Sequence, residues 1–183
     1  MAITKIQSES LNLADTYAFT GTVTGAGGIT EADQWRMNAD LSITTLTTET
    51  LISANWERNT NSGFSKIGTG MTESSGTFTF PSTGIYQITH FFTFYSPTGG
   101  SEFNRVSLHT TTDNSTYTNQ THNFTATSTA PKRASATSSF LFDVTDTSNC
   151  KARFYYYVQG NITLLGTNDK NEFHVNFLRV GDT

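Results

Sequence analysis

The chain has 183 residues, enough for one domain with a sizeable core, and only 14% of them are charged, against roughly 25% in ordinary soluble domains. Thr (35) and Ser (18) stand in for the missing charge, while 14 Phe, 7 Tyr and 2 Trp argue against a disordered chain, which lacks aromatics. A net charge of −4 with no basic cluster larger than Lys132-Arg133 argues against nucleic-acid binding, and no apolar stretch approaches the ~20 residues that span a bilayer.

Residues 1–33 read as an extended N-terminal arm. Ile3, Ile6, Leu11 and Leu13 fit neither a helical nor a strand period, and Gly25-Ala26-Gly27-Gly28 is a hinge, since glycine tolerates positive φ. A segment this thin in apolar residues is expected to order only against a partner surface, with Ile3, Ile6, Leu11, Leu13 and Phe19 as its anchors. The opening residues carry no signal-peptide core, which points to synthesis in a cytoplasm.

From residue 34 to 183 the period is two, the signature of strands. Trp35, Met37, Ala39 and Leu41 alternate with polar residues, and Leu51–Trp56 is a shorter apolar patch before the Gly/Ser-rich turn region 59–76. Phe78 and Phe80 lead to the corner Pro81-Ser82-Thr83-Gly84, after which Tyr86, Ile88, His90, Phe92 and Phe94 share a face. Val106/Leu108, Ala136 to Val144, Cys150 to Val158, and Phe173/Val175/Phe177 continue the pattern. Several short strands with turn residues between them predict an all-β, two-sheet jelly-roll sandwich. Phe78, Tyr86, Phe92, Phe142, Phe154 and Phe177 are its expected core. Phe91, Tyr95, Tyr155 and Tyr157 fall on the opposite faces of their strands, where a monomeric sandwich is normally polar; they are the candidate subunit interface.

The stretch Gly76–Ile88 resembles the core motif of the C1q/TNF-like jelly rolls. Phe78 stands six residues before Gly84, Tyr86 matches, and Ile88 replaces the last aromatic. The closing stretch Glu172–Leu178 resembles the last strand of that family, whereas Lys66 and Met71 depart from its upstream pattern. The resemblance covers about residues 34–180 and implies a compact homotrimer. Three further stretches, Ile3–Val23, Asn55–Met71 and Phe177–Thr183, are similar to structural proteins of marine tailed bacteriophages. That similarity implies a place on the outside of a virion.

Nothing in the sequence has the spacing of an active site. His90, His109, His122 and His174 show no metal-ligand spacing, Cys150 lies on an inward face, and there is no G-x-S-x-G elbow. Asp143 and Asp146 suit a turn, and Trp35 and Trp56 fit the core better than a sugar-stacking platform. The reading is a non-enzymatic virion structural protein without cofactors or metals. As a capsid decoration, cement or head-fibre protein its partner is the major capsid protein. The alternative is a tail-fibre module that binds a host-surface glycan or protein.

Overall fold

The computed structural model describes residues 28–98, 100–127 and 131–183. In chain order its strands are β1 (Ala32–Met37), β2 (Ala39–Ile43), β3 (Thr50–Leu51), β4 (Trp56–Arg58), β5 (Thr72–Ser74), β6 (Thr77–Thr79) and β7 (Gly84–Ser96). They continue with β8 (Ser101–Thr111), β9 (Thr118–Asn119), β10 (Asn123–Thr127), β11 (Lys132–Val144), β12 (Lys151–Val158), β13 (Ile162–Thr167) and β14 (His174–Gly181). Among the described residues there is no helix.

These strands form two antiparallel sheets. One runs β2-β13-β7-β14-β1-β4, with β11 on the other edge of β7; the second runs β10-β8-β12-β6-β5, with β3 and β9 paired to β12 and β8. Neighbours distant in sequence lie side by side: β1 pairs with β14 from Ala32↔Leu178 to Arg36↔His174. Such crossing connections make the sandwich a jelly roll, the expected fold class.

The core lies between the sheets and is largely aromatic. Phe78, Tyr86, Phe92, Phe142, Phe154 and Phe177 are all buried, as the period-two pattern predicts. Phe78 is at the centre, 5.0 Å from Trp56, 5.2 Å from Phe177 and 5.7 Å from both Trp35 and Phe154. Offset and edge-on ring pairs of this kind add about 0.5–1.5 kcal/mol each beyond their buried area. The corner before β7 needs its glycine. Gly84 has φ +138°, and a Cβ there would stand 2.6 Å from the Gly181 carbonyl oxygen. The Tyr86 hydroxyl turns back to Ser82 Oγ at 2.9 Å, so this buried phenol stays hydrogen-bonded.

Three local readings change. The run Trp35–Leu41 is not one strand, because the chain bends at Asn38. The Met37 and Asn38 amides donate to the carbonyls of Phe173 and Asn55, and β2 goes on to pair with β13 instead. Arg36 alternates with the core face of β1 yet is fully buried, its Nη2 held 3.0 Å from Glu57 Oε1. β1 itself begins at Ala32, so the last two residues of the segment assigned to the arm are strand residues in the jelly roll.

Asp33 shows how firmly that strand start is tied. Its buried carboxylate accepts from Arg58 Nε (3.0 Å) and Nη2 (3.0 Å), from Trp35 Nε1 (3.0 Å) and from the Met71 amide (2.8 Å). Glu31 accepts from the Gly70 amide at 2.9 Å, and Ala32 exchanges backbone hydrogen bonds with Ile67. The 59–71 segment is thereby clamped along β1, where it walls one side of the site described next.

Candidate functional site

The structure divides the four candidate interface residues between two surfaces. Phe91 and Tyr95 project from β7 on the outside of the first sheet. Phe91 pairs across to His174 and Thr137, and its ring stacks 5.5 Å from the His174 imidazole. Tyr95 pairs with Arg133, whose guanidinium lies 4.8 Å over the phenol ring. Along the same face run Thr89, Ser139 and Asn176, then Gln87, Leu141 and Leu178. Leu141 is 61% exposed, and so is 52% of Val180 nearby. Burial pushes the His174 imidazole below its usual pKa, tempered by the Asn171 backbone, so at neutral pH the middle of this face carries no charge. Charges sit at its margins: Arg133, Asp143 and the Arg36–Glu57 pair.

Tyr155 and Tyr157 project from β12 on the outside of the second sheet. Tyr155 lies 4.3 Å from the His109 ring. Arg105 lies 5.1 Å over Tyr157, and Phe103 packs edge-on against it at 5.5 Å. Phe103 in turn lies 4.6 Å from Phe124, which is half exposed. This face is charged in its centre: Glu49 accepts from Arg105 Nη2 at 2.8 Å and from Ser107 Oγ at 3.0 Å. Burial pushes the Glu49 carboxyl up, but Ser107, His109 and Arg105 together hold it below its usual range. The two tyrosine-bearing faces therefore differ in chemistry as well as in position.

A third feature was not anticipated from sequence. An open cleft of about 600 Å³ lies between β1, β14 and the turn at 59–65. Gln34 is the hub of an amide network in its wall. Gln34 Nε2 donates to Asn176 Oδ1 at 2.7 Å, while Gln34 Oε1 accepts from Asn59 Nδ2 (2.7 Å) and Asn171 Nδ2 (2.8 Å). Asn59 Oδ1 accepts from the Asn61 amide at 2.9 Å, and Asn61 Nδ2 donates to the Asp169 carbonyl at 2.8 Å. Gly63, at φ +92°, lets the turn bring Phe64 to the cleft. The only signal in the sequence was the run Asn59-Thr60-Asn61-Ser62-Gly63-Phe64, which reads as an ordinary polar turn until Gln34 and Asn176 are placed beside it.

The residues weighed for chemistry are occupied elsewhere. His90 is fully buried between the Phe92 and Phe154 rings, and burial pushes its pKa down to about 4. The Val106 backbone tempers that shift but lies outside hydrogen-bonding geometry. Cys150 is buried. Asp146 caps its turn through the Ser148 amide (2.7 Å), which holds its carboxyl below the usual range. Trp35 and Trp56 are half-buried against the core, and their indole N–H groups donate to Asp33 and to the Ile52 carbonyl. Among the described residues no three His, Cys, Asp or Glu side chains gather as a metal site. Ile3, Ile6, Leu11, Leu13 and Phe19 lie outside the described residues.

No family model matches the chain, and no curated protein matches its sequence. Solved structures resemble it in fold. The Eiger TNF of S. frugiperda superposes with a TM-score of 0.61 at 12% identity, over 83% of this chain and 93% of that one. Murine APRIL gives 0.55 at 13% identity, over 81% of this chain and 98% of that one. The PRD1 vertex protein P5 gives 0.51 at 16% identity, over 85% of this chain and all of that one. The fold is thus a TNF/C1q-like jelly roll, as the Gly76–Ile88 resemblance implies.

Proposed function

We propose that the chain is a non-enzymatic structural protein of a virus particle, a homotrimer that decorates the capsid exterior and grips the major capsid protein through residues 1–33. The observation that carries the trimer is the outer face of the first sheet, uncharged in its middle and ending in the exposed Leu141. Depletion of charge is what marks the centre of a protein interface. The virion assignment is supported by the similarity of three stretches to tailed-phage structural proteins and by the shared fold of a PRD1 vertex protein.

Ring closure keeps the two tyrosine-bearing faces from joining one another, and the uncharged middle of the first face favours it over the second. A closed trimer joins two patches inclined toward one another, whereas contacts between the opposite outer faces of a sandwich stack copies into an open fibre. The interface is therefore assigned to the β7–β11 half of the first face, with Phe91, Tyr95 and Leu141; its β14–β1 half, with Asn176 and Leu178, and the second face, with Tyr155 and Tyr157, are left open. Light scattering on the full chain should give three copies, and Leu141→Glu should give monomers; a monomeric parent protein overturns the assembly. Deleting residues 1–28 should leave a folded trimer that no longer attaches to particles. Wild-type occupancy by the deletion protein would move attachment to the jelly roll.

A second reading, a receptor-binding module that takes a host-surface glycan, is favoured by one observation: the amide-walled cleft beside β1.

A further inference from the structure

We propose that this cleft is a binding site for a neutral saccharide, with Asn176, Asn61 and Phe64 making the contacts. The inference rests on the receptor-binding reading and specifies its ligand chemistry.

Apart from the buried Asp33 carboxylate, the polar side chains that line the cleft are carboxamides and hydroxyls. A carboxamide offers two donor hydrogens and an acceptor oxygen, which suits sugar hydroxyls that both give and accept. The amides are already held by one another through Gln34, so little side-chain freedom remains to be lost on binding. Asn176 commits its Oδ1 to Gln34, and among the described residues nothing takes the hydrogens of its Nδ2. Phe64 supplies a ring for the apolar face of a pyranose, and Leu178 adds apolar surface. At about 600 Å³ the cleft falls in the range of small-ligand sites, roughly 300–1,000 Å³.

Two other ligand classes fit poorly. Among the described residues the only ionisable one lining the cleft is Asp33, whose side chain is 2% exposed and already paired with Arg58, so a charged ligand finds no counter-charge there. An extended peptide would need a free strand edge. The β1 backbone here is already bonded on its outer edge, Ala32 with Ile67 at 3.1 and 2.9 Å and the Gln34 carbonyl with the Asn59 amide at 3.2 Å.

The test is saturation-transfer NMR on the full chain with glucose, galactose, mannose, fucose and N-acetylglucosamine, and with N-acetylneuraminic acid as the charged comparator. At least one neutral sugar should receive saturation, and the charged sugar none. Phe64→Ala should weaken that binding by about tenfold or more. Asn176→Asp should do the same while keeping the oxygen that Gln34 needs. Phe124→Ala, on the opposite face, should change nothing. Silence from every neutral sugar, preference for the charged one, or binding that survives both cleft variants overturns the proposal. Binding to whole host cells separates the two readings. Cells bound without any sugar response remove the cleft assignment alone, and sugars bound without any cell binding remove the receptor role alone.

Discussion

Replacing Asp33 by Ala should destabilise the jelly roll by about 3 kcal/mol, because one buried carboxylate holds three separate pieces of chain together. The side chain accepts from Arg58, the Trp35 indole and the Met71 amide, and it is itself 2% exposed. Removing one partner of a buried ion pair typically costs about 3–5 kcal/mol, since the other charge is left without compensation. Arg58 remains 33% exposed and can recruit water, which places the cost at the low end of that range. The Met71 amide, at a buried position, loses its acceptor as well, and that penalty of ~1–3 kcal/mol for an orphaned donor is contained in the figure of about 3 kcal/mol. For a domain of this size 1 kcal/mol shifts the melting temperature by about 2–4 °C, so a drop of about 6–12 °C is expected by calorimetry. Asp33→Asn keeps the shape and loses the charge, and should fall about halfway. Because Asp33 also clamps the 59–71 segment, Asp33→Ala should loosen the cleft and weaken saccharide binding together with stability. A variant that melts with the parent protein would refute the view that this carboxylate ties β1 to the segment it faces.

Two further outcomes follow from the core. Phe78→Ala removes the ring around which Trp35, Trp56, Phe154 and Phe177 pack, and should cost about 3–5 kcal/mol by urea midpoint; a loss below about 1 kcal/mol would mean the cluster can collapse into the space. His90 has its folded pKa pushed down to about 4 from an ordinary 6.5, so the unfolded chain binds more protons between those values. Stability from this group is therefore complete above pH 6.5 and lost as pH falls toward 4, a change on the order of 3 kcal/mol. His90→Leu should flatten that part of the pH profile relative to the parent, and parallel profiles would show that His90 does not titrate in this way.

Fold class, core and corner were legible before any strand was paired. Alternation at Tyr86–Phe94 and Phe140–Val144 points side chains inward whatever the partner strand, because successive Cβ atoms on a strand face opposite ways. Pro81–Gly84 is legible for the same local reason, since it answers to backbone geometry at one turn. Which strands meet was not legible, because strand pairing is a long-range choice. β1 pairs with β14 across 140 or so residues, and nothing in either strand names the other. Long-range pairing likewise places Phe91 and Tyr95 on one sheet and Tyr155 and Tyr157 on the other, so a set of four that looked alike in sequence became two surfaces with different charge. It also buries Arg36 on a face where alternation predicts exposure, because Glu57 of β4 arrives beside it. The cleft has the same origin. Gln34, Asn59, Asn171 and Asn176 are unremarkable polar residues until long-range pairing brings their amides within hydrogen-bonding distance of one another.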